Sequence, residues 1–154
     1  MQAKILTILA SKERKKIEKI IKKNYEVDFD LSNYSVLIGP EDKIWIASRE
    51  ILNADIEKLD VNSIGMNLGK LKKNEKIRLT IEGSQLIGKE AKRNFIELNG
   101  EEAKKFMSGS SLQIVPSDCD MHNFVIIKSG KDILGSGLLT EEGIKNLLPR
   151  SRRV

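Results

Sequence analysis

Cys119 and His122 are the residues whose types and spacing most directly suggest chemistry. They stand as Cys-x-x-His, with Asp118 and Asp120 on either side of the cysteine. A structural zinc site needs four ligands, usually two such pairs, whereas the chain has one cysteine and one histidine. A Cys–His nucleophile needs an orienting group, an oxyanion hole and a cleft, whereas residues 116–120 are predicted to be an exposed loop. We therefore predict neither a metal site nor a nucleophile here.

Gly65, Gly69 and Lys70 partly resemble a phosphate-binding loop. The glycines are separated by three residues instead of four, and Leu71 occupies the place of the metal-binding Ser or Thr. This segment is therefore predicted to be a turn beside a basic strand. No pair of carboxylates has a spacing that indicates acid–base work. The sequence thus predicts a protein that is not an enzyme, with no catalytic residue and no cofactor.

Three basic clusters remain as candidates for binding a polyanion. They are the lysine-rich segment 12–23, the segment 70–78, and the C-terminal residues from 145 onwards. For the lysine-rich segment two interpretations stay open: contact with RNA, or a solvated face whose lysine stems cover neighbouring residues.

The C-terminal cluster is the strongest of the three. It contains Lys145, Arg150, Arg152 and Arg153, and no acidic side chain follows Glu142. Arginine matches phosphate geometry with two parallel hydrogen bonds and stacks on bases. The alternative is a frayed chain end.

Three glycines extend this candidate site. Gly109, Gly135 and Gly137 lack side chains at positions where a backbone could approach a ribose–phosphate chain closely.

The composition is typical of a folded protein with a small positive net charge. The chain has 154 residues, 27 Lys and Arg against 22 Asp and Glu, and a net charge of +5. Its hydrophobic fraction of 40% is ordinary for a folded protein. One cysteine excludes an internal disulfide and favours a reducing compartment. No apolar stretch is long enough to span a membrane, so we expect a soluble, cytoplasmic protein.

The first half of the chain alternates helical and extended patterns. Isoleucines at 17, 20 and 21 predict a helix over 11–23, with Ser11 as its N-cap. A hairpin is predicted for 35–38 and 44–47, and a helix for 49–59 with Ser48 as its cap. Ile77 and Leu79 alternate with basic residues, which predicts a half-buried strand with a cationic outer face. Residues 84–91 are predicted to be a short helix or a linker.

The second half is predicted to be self-contained. Strands are predicted at 94–98, 124–127 and 133–139, and a helix at 101–107 with Gly109 just beyond its end. Thr140 is predicted to cap a last helix, which Pro149 closes. The final residues, 150–154, are predicted to add an edge strand.

This order of elements resembles a PUA domain, the RNA-binding module named after pseudouridine synthases and archaeosine transglycosylases. The stretches that carry the resemblance are residues 106–110, 124–128 and 130–137. Residues 44–51, 64–71, 76–80 and 106–109 are similar, in order and spacing, to the Nip-seven family of ribosome-biogenesis factors, in its archaeal type.

The resemblance implies an α+β protein with two domains. Residues 1–91 would form an N-terminal α/β domain with an antiparallel sheet, which contacts other ribosome-assembly or RNA-processing proteins. Residues 92–154 would form the PUA domain, a small mixed β-barrel-like sheet with short helices. The implied function is non-catalytic binding of single-stranded, U-rich RNA during maturation of large-subunit precursor ribosomal RNA. The positions that match the family's RNA contacts are Arg150, Arg152 and Arg153, with Lys145 nearby.

Two other functions stay open. The chain could be the RNA-targeting subunit or a fragment of an RNA-modifying enzyme of the methyltransferase or pseudouridine synthase type. A cofactor motif or a catalytic aspartate in the first domain would indicate this, and the sequence has neither. It could also be a protein-interaction module whose basic faces provide only solubility.

Overall fold

The computed structural model describes residues 6–48 and 65–154, which form nine strands and three helices. In chain order the elements are β1 (Thr7–Ile8), α1 (Ser11–Tyr25), β2 (Tyr34–Ile38), β3 (Lys43–Ser48), β4 (Met66–Lys72), β5 (Lys76–Leu79), α2 (Ile81–Gly88), β6 (Phe95–Glu97), α3 (Gly100–Met107), β7 (Phe124–Ser129), β8 (Asp132–Thr140) and β9 (Gly143–Asn146). Within these two ranges, no helix has the length and apolar character that crossing a bilayer requires.

Helix α1 forms because its apolar residues recur every four positions. Ile17, Ile21 and Tyr25 are buried on one side, and the helix ends where Glu26 adopts a left-handed conformation. The predicted helix was two residues too short. The predicted cap was also wrong, because Ala10 occupies the N-cap position and Ser11 is the first helical residue.

The first sheet has the antiparallel strand order β1-β2-β3-β4-β5. Its predicted β2–β3 hairpin is confirmed, with the short 3-10 turn Pro40–Asp42 between the strands. Helix α1 covers one face of the sheet, hereafter the inner face, where Ile17 and Ile21 join Ile44 and Ile77 in one core cluster. The helix predicted for 49–59 lies outside the described residues, and Ser48 is the last residue of β3.

Strand β4 contains an irregularity that decides which way its lysines point. Ile44 of β3 pairs with Gly69, but the next residue, Trp45, pairs with Asn67, so Leu68 is an extra, bulged residue. Leu68 is fully buried, whereas Lys70 points to the opposite, outer face of the sheet. The turn predicted at 65–70 is therefore wrong, because residues 66–70 belong to strand β4, which pairs with β3 and β5.

The second sheet is mixed, with the order β6-β7-β8-β9. Strand β6 is parallel to β7, whereas β7, β8 and β9 are antiparallel. Helix α3 begins at a capping box, in which Asn99 accepts from the Glu102 backbone and the Glu102 carboxylate accepts from the Asn99 backbone. Gly109 follows the helix with φ +100°, as its predicted capping role requires. The α+β class with a mixed second sheet is confirmed.

The last predicted helix is wrong. The side chain of Thr140 accepts from the Glu142 backbone and donates to the Gly143 carbonyl, which closes a tight hairpin between β8 and β9. Gly143 has φ +126°, a conformation suited to glycine. Pro149 precedes a 3-10 turn over Arg150–Arg152 instead of ending a helix, so the predicted edge strand at 150–154 is also wrong.

The two sheets pack against each other and against helix α2. Ile87 of α2 belongs to the core of the first sheet, whereas Ile81 at its start belongs to the core of the second. Thr80 caps this helix by accepting from the Gly83 backbone. The helix therefore begins at Ile81, three residues before the segment predicted as a short helix or linker. The predicted domain boundary after residue 91 falls between α2 and β6.

Candidate nucleic-acid interface

A row of cations crosses the outer face of the first sheet. Lys43 of β3 pairs directly with Lys70 of β4, and Lys70 pairs directly with Arg78 of β5. Directly paired residues share a face, with Cβ atoms about 5 Å apart. The structure thus aligns three positive charges on three neighbouring strands. We call Lys43, Lys70 and Arg78 the cation row.

The cation row is unfavourable for the fold itself, because like charges directly opposite each other destabilise a sheet. Glu41 offsets this only weakly: its carboxylate lies 3.8 Å from the ammonium groups of both Lys43 and Lys70, and more than half of it is exposed. An arrangement of this kind gains most from an external polyanion that lies across all three charges.

A second pair of cations continues the same face. Lys72 pairs directly with Lys76, two residues along from Lys70 and Arg78. The ammonium of Lys76 donates to the His122 carbonyl at 2.8 Å. Ile77 and Leu79 are buried between these outward positions, so the predicted half-buried strand with a cationic outer face is confirmed.

A cleft of about 410 Å³ opens beside the cation row. One wall is the outer face of the first sheet, and the other is the C-terminal segment that follows β9. Its lining residues are Lys43, Asn67, Gly69, Lys70, Arg78, Leu79, Thr80, Ile81, Glu82, Ser136, Leu147, Leu148, Pro149 and Arg152. Four of these side chains are cationic and one, Glu82, is acidic. The cleft is therefore a basic groove between the two sheets.

Two hydrogen bonds connect the first sheet, on one side of the cleft, to β8 and the C-terminal segment on the other side. The hydroxyl of Ser136, on β8, donates to the Leu79 carbonyl at 3.0 Å. The guanidinium of Arg78 reaches the Leu147 carbonyl at 3.5 Å, a long contact that leaves most of its donors unused.

Arg152 is the residue of the C-terminal cluster that the structure brings to the cleft. The 3-10 turn after Pro149 aims its side chain at the first turn of α2, where it donates to the Glu82 carboxylate at 2.7 Å. Both side chains remain nearly half exposed, so solvent screens the pair. A phosphate that enters the cleft can therefore compete with Glu82 for the guanidinium.

The hydrogen bond from Arg152 holds the pKa of Glu82 below its ordinary value. The stabilisation from this pair is complete above the ordinary carboxyl pKa and is lost as the pH falls through the lowered one. We expect Arg152→Ala to raise the pKa of Glu82 and to reduce stability at neutral pH but not in strong acid. NMR titration of the side-chain carboxyl measures the first effect. Arg150→Ala is the control, and an equal Glu82 pKa in wild type and Arg152→Ala contradicts the prediction.

The other members of the C-terminal cluster lie outside the cleft lining. Arg150 is exposed and has no side-chain partner within 6–48 or 65–154. Arg153 donates to the Leu148 carbonyl at 3.2 Å and packs against Gly109, where an added Cβ would lie 2.6 Å from its side chain. Lys145 is exposed on β9. Their contact with RNA stays a prediction.

Gly135 and Gly137 are buried in β8 and do not offer an open backbone surface. A Cβ at Gly137 would lie 2.4 Å from the Ile144 side chain, and one at Gly135 would lie 3.1 Å from Leu148. Packing accounts for Gly137, and a φ of +147° together with packing accounts for Gly135. This corrects the argument from sequence, and we leave both residues out of the proposed interface.

The Cys119 and His122 side chains have separate partners. The thiol of Cys119 lies 3.6 Å from the Phe95 carbonyl, whereas the imidazole of His122 pairs with Glu141 at 2.7 Å. Asp120, beside the cysteine, holds Arg93 at 2.6 Å. In the described ranges, no three His, Cys, Asp or Glu side chains are grouped so that they could hold a metal ion.

Burial, followed by the nearby Asp118 and Asp120, raises the pKa of Cys119 to about 11. Because the thiolate is the reactive form, we expect alkylation by iodoacetamide near pH 8 to be roughly 100-fold slower than in the unfolded chain. Mass spectrometry over time, with and without urea, measures the ratio. Equal rates in the two states would mean that the thiol is exposed.

Sequence reasoning missed two charged residues of the cleft, Lys43 and Glu82. Lys70 and Arg78 belong to the basic segment 70–78 that the sequence does identify. Lys43 had a signal in the sequence. It begins the second strand of the predicted β2–β3 hairpin, and a cationic strand follows later in the same predicted domain. The bulge at Leu68, which aligns the row, leaves no local signature in the sequence.

The comparisons with known proteins concern the second sheet. Residues 93–154 match the family model described as the methyltransferase RsmF PUA domain. No curated protein matches the chain. The matched region spans β6 to the 3-10 turn that carries Arg152, and a PUA domain indicates RNA binding. The chain is therefore an α+β protein with a C-terminal PUA domain.

Proposed function

We propose that this protein is a non-catalytic RNA-binding factor in ribosome biogenesis, acting in the cytoplasm on large-subunit precursor ribosomal RNA. The resemblance to the Nip-seven family supports the process, and the PUA domain supports the ligand. The observation that carries RNA binding is the cation row of Lys43, Lys70 and Arg78, which forms a basic groove together with Arg152.

The groove fits a single strand held by its phosphates. Its cations stand on one wall and Arg152 on the other, so a strand between them is neutralised from both sides. Among the residues that the structure places in its lining, none is aromatic, so binding does not depend on strong base stacking. Preferences of such sites come from backbone flexibility, which favours unstacked pyrimidine runs. This supports the proposed binding of U-rich RNA.

The proposal assigns no chemical step to the protein. Lysine and arginine side chains in the groove position phosphates by donating hydrogen bonds to them. Cys119, with its raised pKa, is protonated at neutral pH. In this proposal residues 1–91 also contact other assembly proteins.

Crosslinking the protein to RNA in cells and sequencing the attached RNA tests the proposal. We expect crosslinks concentrated in precursor ribosomal RNA of the large subunit, and their loss in a Lys70→Ala, Arg78→Ala variant of equal abundance. Crosslinks confined to other RNA classes would contradict the role in ribosome assembly.

A second candidate function is the RNA-targeting part of an RNA-modifying enzyme. The observation that favours it is the matched family model, whose description names a methyltransferase. Isothermal titration with S-adenosylmethionine, and purification of the protein from cells with its bound proteins, distinguish the two candidates. Saturable binding of the cofactor, or stable association with a modifying enzyme, favours the second.

A further inference from the structure

Helix α1 exposes four lysines for which the described residues provide no partner. Lys12, Lys15, Lys16 and Lys19 are exposed, and none makes an ion pair or side-chain hydrogen bond to a residue in 6–48 or 65–154. The next two lysines differ. Lys22 pairs with Asp28 at 2.8 Å, and Lys23 pairs with Glu75. We call the four unpaired residues the lysine stripe.

The lysine stripe lies opposite the buried side of the helix. At about 100° per residue, its four positions fall within an arc of roughly 100°. The buried residues Ile17, Ile21 and Tyr25 are centred on the other side of the helix. The lysine stems therefore do not cover the buried side of the helix, although Lys15 and Lys19 line a pocket beside the partly buried Phe29.

The stripe costs the fold stability. Its members are spaced three and four residues apart, and like charges at this spacing repel each other along a helix. The nearby acidic residues form no ion pair with the stripe. Asp28 pairs with Lys22, and Asp30 accepts from the Ser32 backbone at 2.9 Å. Glu18 accepts from the Leu31 backbone at 2.7 Å, and Glu13 forms no ion pair with a residue that the structure describes.

We propose that the lysine stripe is a second RNA contact, which binds the phosphate backbone of the RNA held in the cleft. This inference rests on the proposed function. Exposed lysines act as point charges for phosphate and need no particular base. Among the described residues that line a pocket with Lys15 and Lys19, Phe29 is the one aromatic side chain and is itself partly buried, so we favour RNA over an acidic protein.

The two contacts lie on opposite faces of the first sheet. Helix α1 packs on the inner face, against Ile44 and Ile77, whereas the cation row is on the outer face. RNA cannot pass straight from one to the other, because the sheet and the whole of helix α1, about 10–12 Å across, lie between them. An RNA that binds the stripe must leave the cleft and continue around the edge of the sheet. Binding should therefore depend on RNA length.

The test replaces all four lysines by glutamine, in K12Q/K15Q/K16Q/K19Q. Glutamine keeps high helix propensity, so the fold is expected to persist, as circular dichroism would confirm. For an oligouridine of about 8 nucleotides, near the site size of one binding domain, we expect unchanged affinity. For a long fragment of ribosomal RNA at low salt, we expect at least about tenfold weaker binding and a log–log salt slope shallower by up to about 2.8, or 0.7 per contact.

A matched pair of variants controls for net charge. K12Q/K16Q is expected to weaken binding of the long RNA, whereas K104Q/K105Q, with the same charge change on helix α3, is not.

Wild-type affinity and slope in the quadruple variant overturn the inference. If Lys70→Ala with Arg78→Ala still weakens binding, the proposed function stands. Equal loss on short and long RNA also overturns the inference, and a wild-type protein that binds neither RNA overturns both proposals.

Discussion

Replacing Lys70 and Arg78 together by alanine is expected to weaken binding of single-stranded RNA by at least about 100-fold at low salt. Each residue supplies charged hydrogen bonds to phosphate, worth about 1.5–3 kcal/mol, and 1.4 kcal/mol corresponds to a factor of ten. The two side chains stand directly opposite each other on β4 and β5, so their loss removes the centre of the cleft's charge. Fluorescence anisotropy with labelled oligouridine measures the change.

The salt dependence separates this effect from general loss of charge. We expect the slope of log affinity against log salt to become shallower by about 1.4, or 0.7 for each lost phosphate contact. Lys104→Ala with Lys105→Ala removes the same charge from helix α3 and should leave both affinity and slope near wild type. An unchanged dissociation constant in the Lys70, Arg78 variant would exclude the cleft as the binding site.

Replacing Tyr25 by alanine is expected to lower the free energy of unfolding by about 3–5 kcal/mol, the usual cost of removing a buried aromatic side chain. Tyr25 is fully buried at the end of α1. Its hydroxyl lies 3.3 Å from the Ile77 carbonyl of the first sheet and 3.2 Å from the Phe124 carbonyl of the second. Urea unfolding followed by circular dichroism measures the loss.

Tyr25→Phe isolates the contribution of the hydroxyl. Burial raises the pKa of this phenol, so it remains a hydrogen-bond donor at all physiological pH values. Removing it should cost about 1–3 kcal/mol, because two buried carbonyls lose their shared donor. Both variants should also weaken RNA binding, since the cleft depends on how the sheets pack. A loss below about 1 kcal/mol in Tyr25→Ala would mean that the sheets do not share a core at this residue.

Elements whose signals are local were predictable from sequence. The β2–β3 hairpin, the alternation of β5 and helix α3 followed by Gly109 follow from residue spacing, turn chemistry and capping, each of which acts within a few residues. The same local reasoning failed after Thr140. Threonine followed by two glutamates suits a helix start, but its side chain instead closes a turn that lets β9 pair with β8. Pairing along a whole strand outweighs a first-turn preference.

One part of the candidate site was predictable from the sequence, and another part was not. Arg152 was predicted from charge and residue type, and the structure places it at the cleft. The glycines at 135 and 137 were misjudged because the sequence does not show what fills the space beside a missing side chain. For these two it is the protein's own Leu148 and Ile144.

By itself, the sequence determined the α+β class, the C-terminal PUA domain, and the presence of basic clusters on three separated segments. Only the tertiary structure decided that Lys43, Lys70 and Arg78 share one face. Simple alternation along β4 would place Lys70 beside the buried Leu68. The bulge at Leu68 gives two inward residues in succession and turns Lys70 outward, and this depends on pairing with a strand more than twenty residues away. Register between distant strands is a property of the folded sheet, so no local pattern could reveal it.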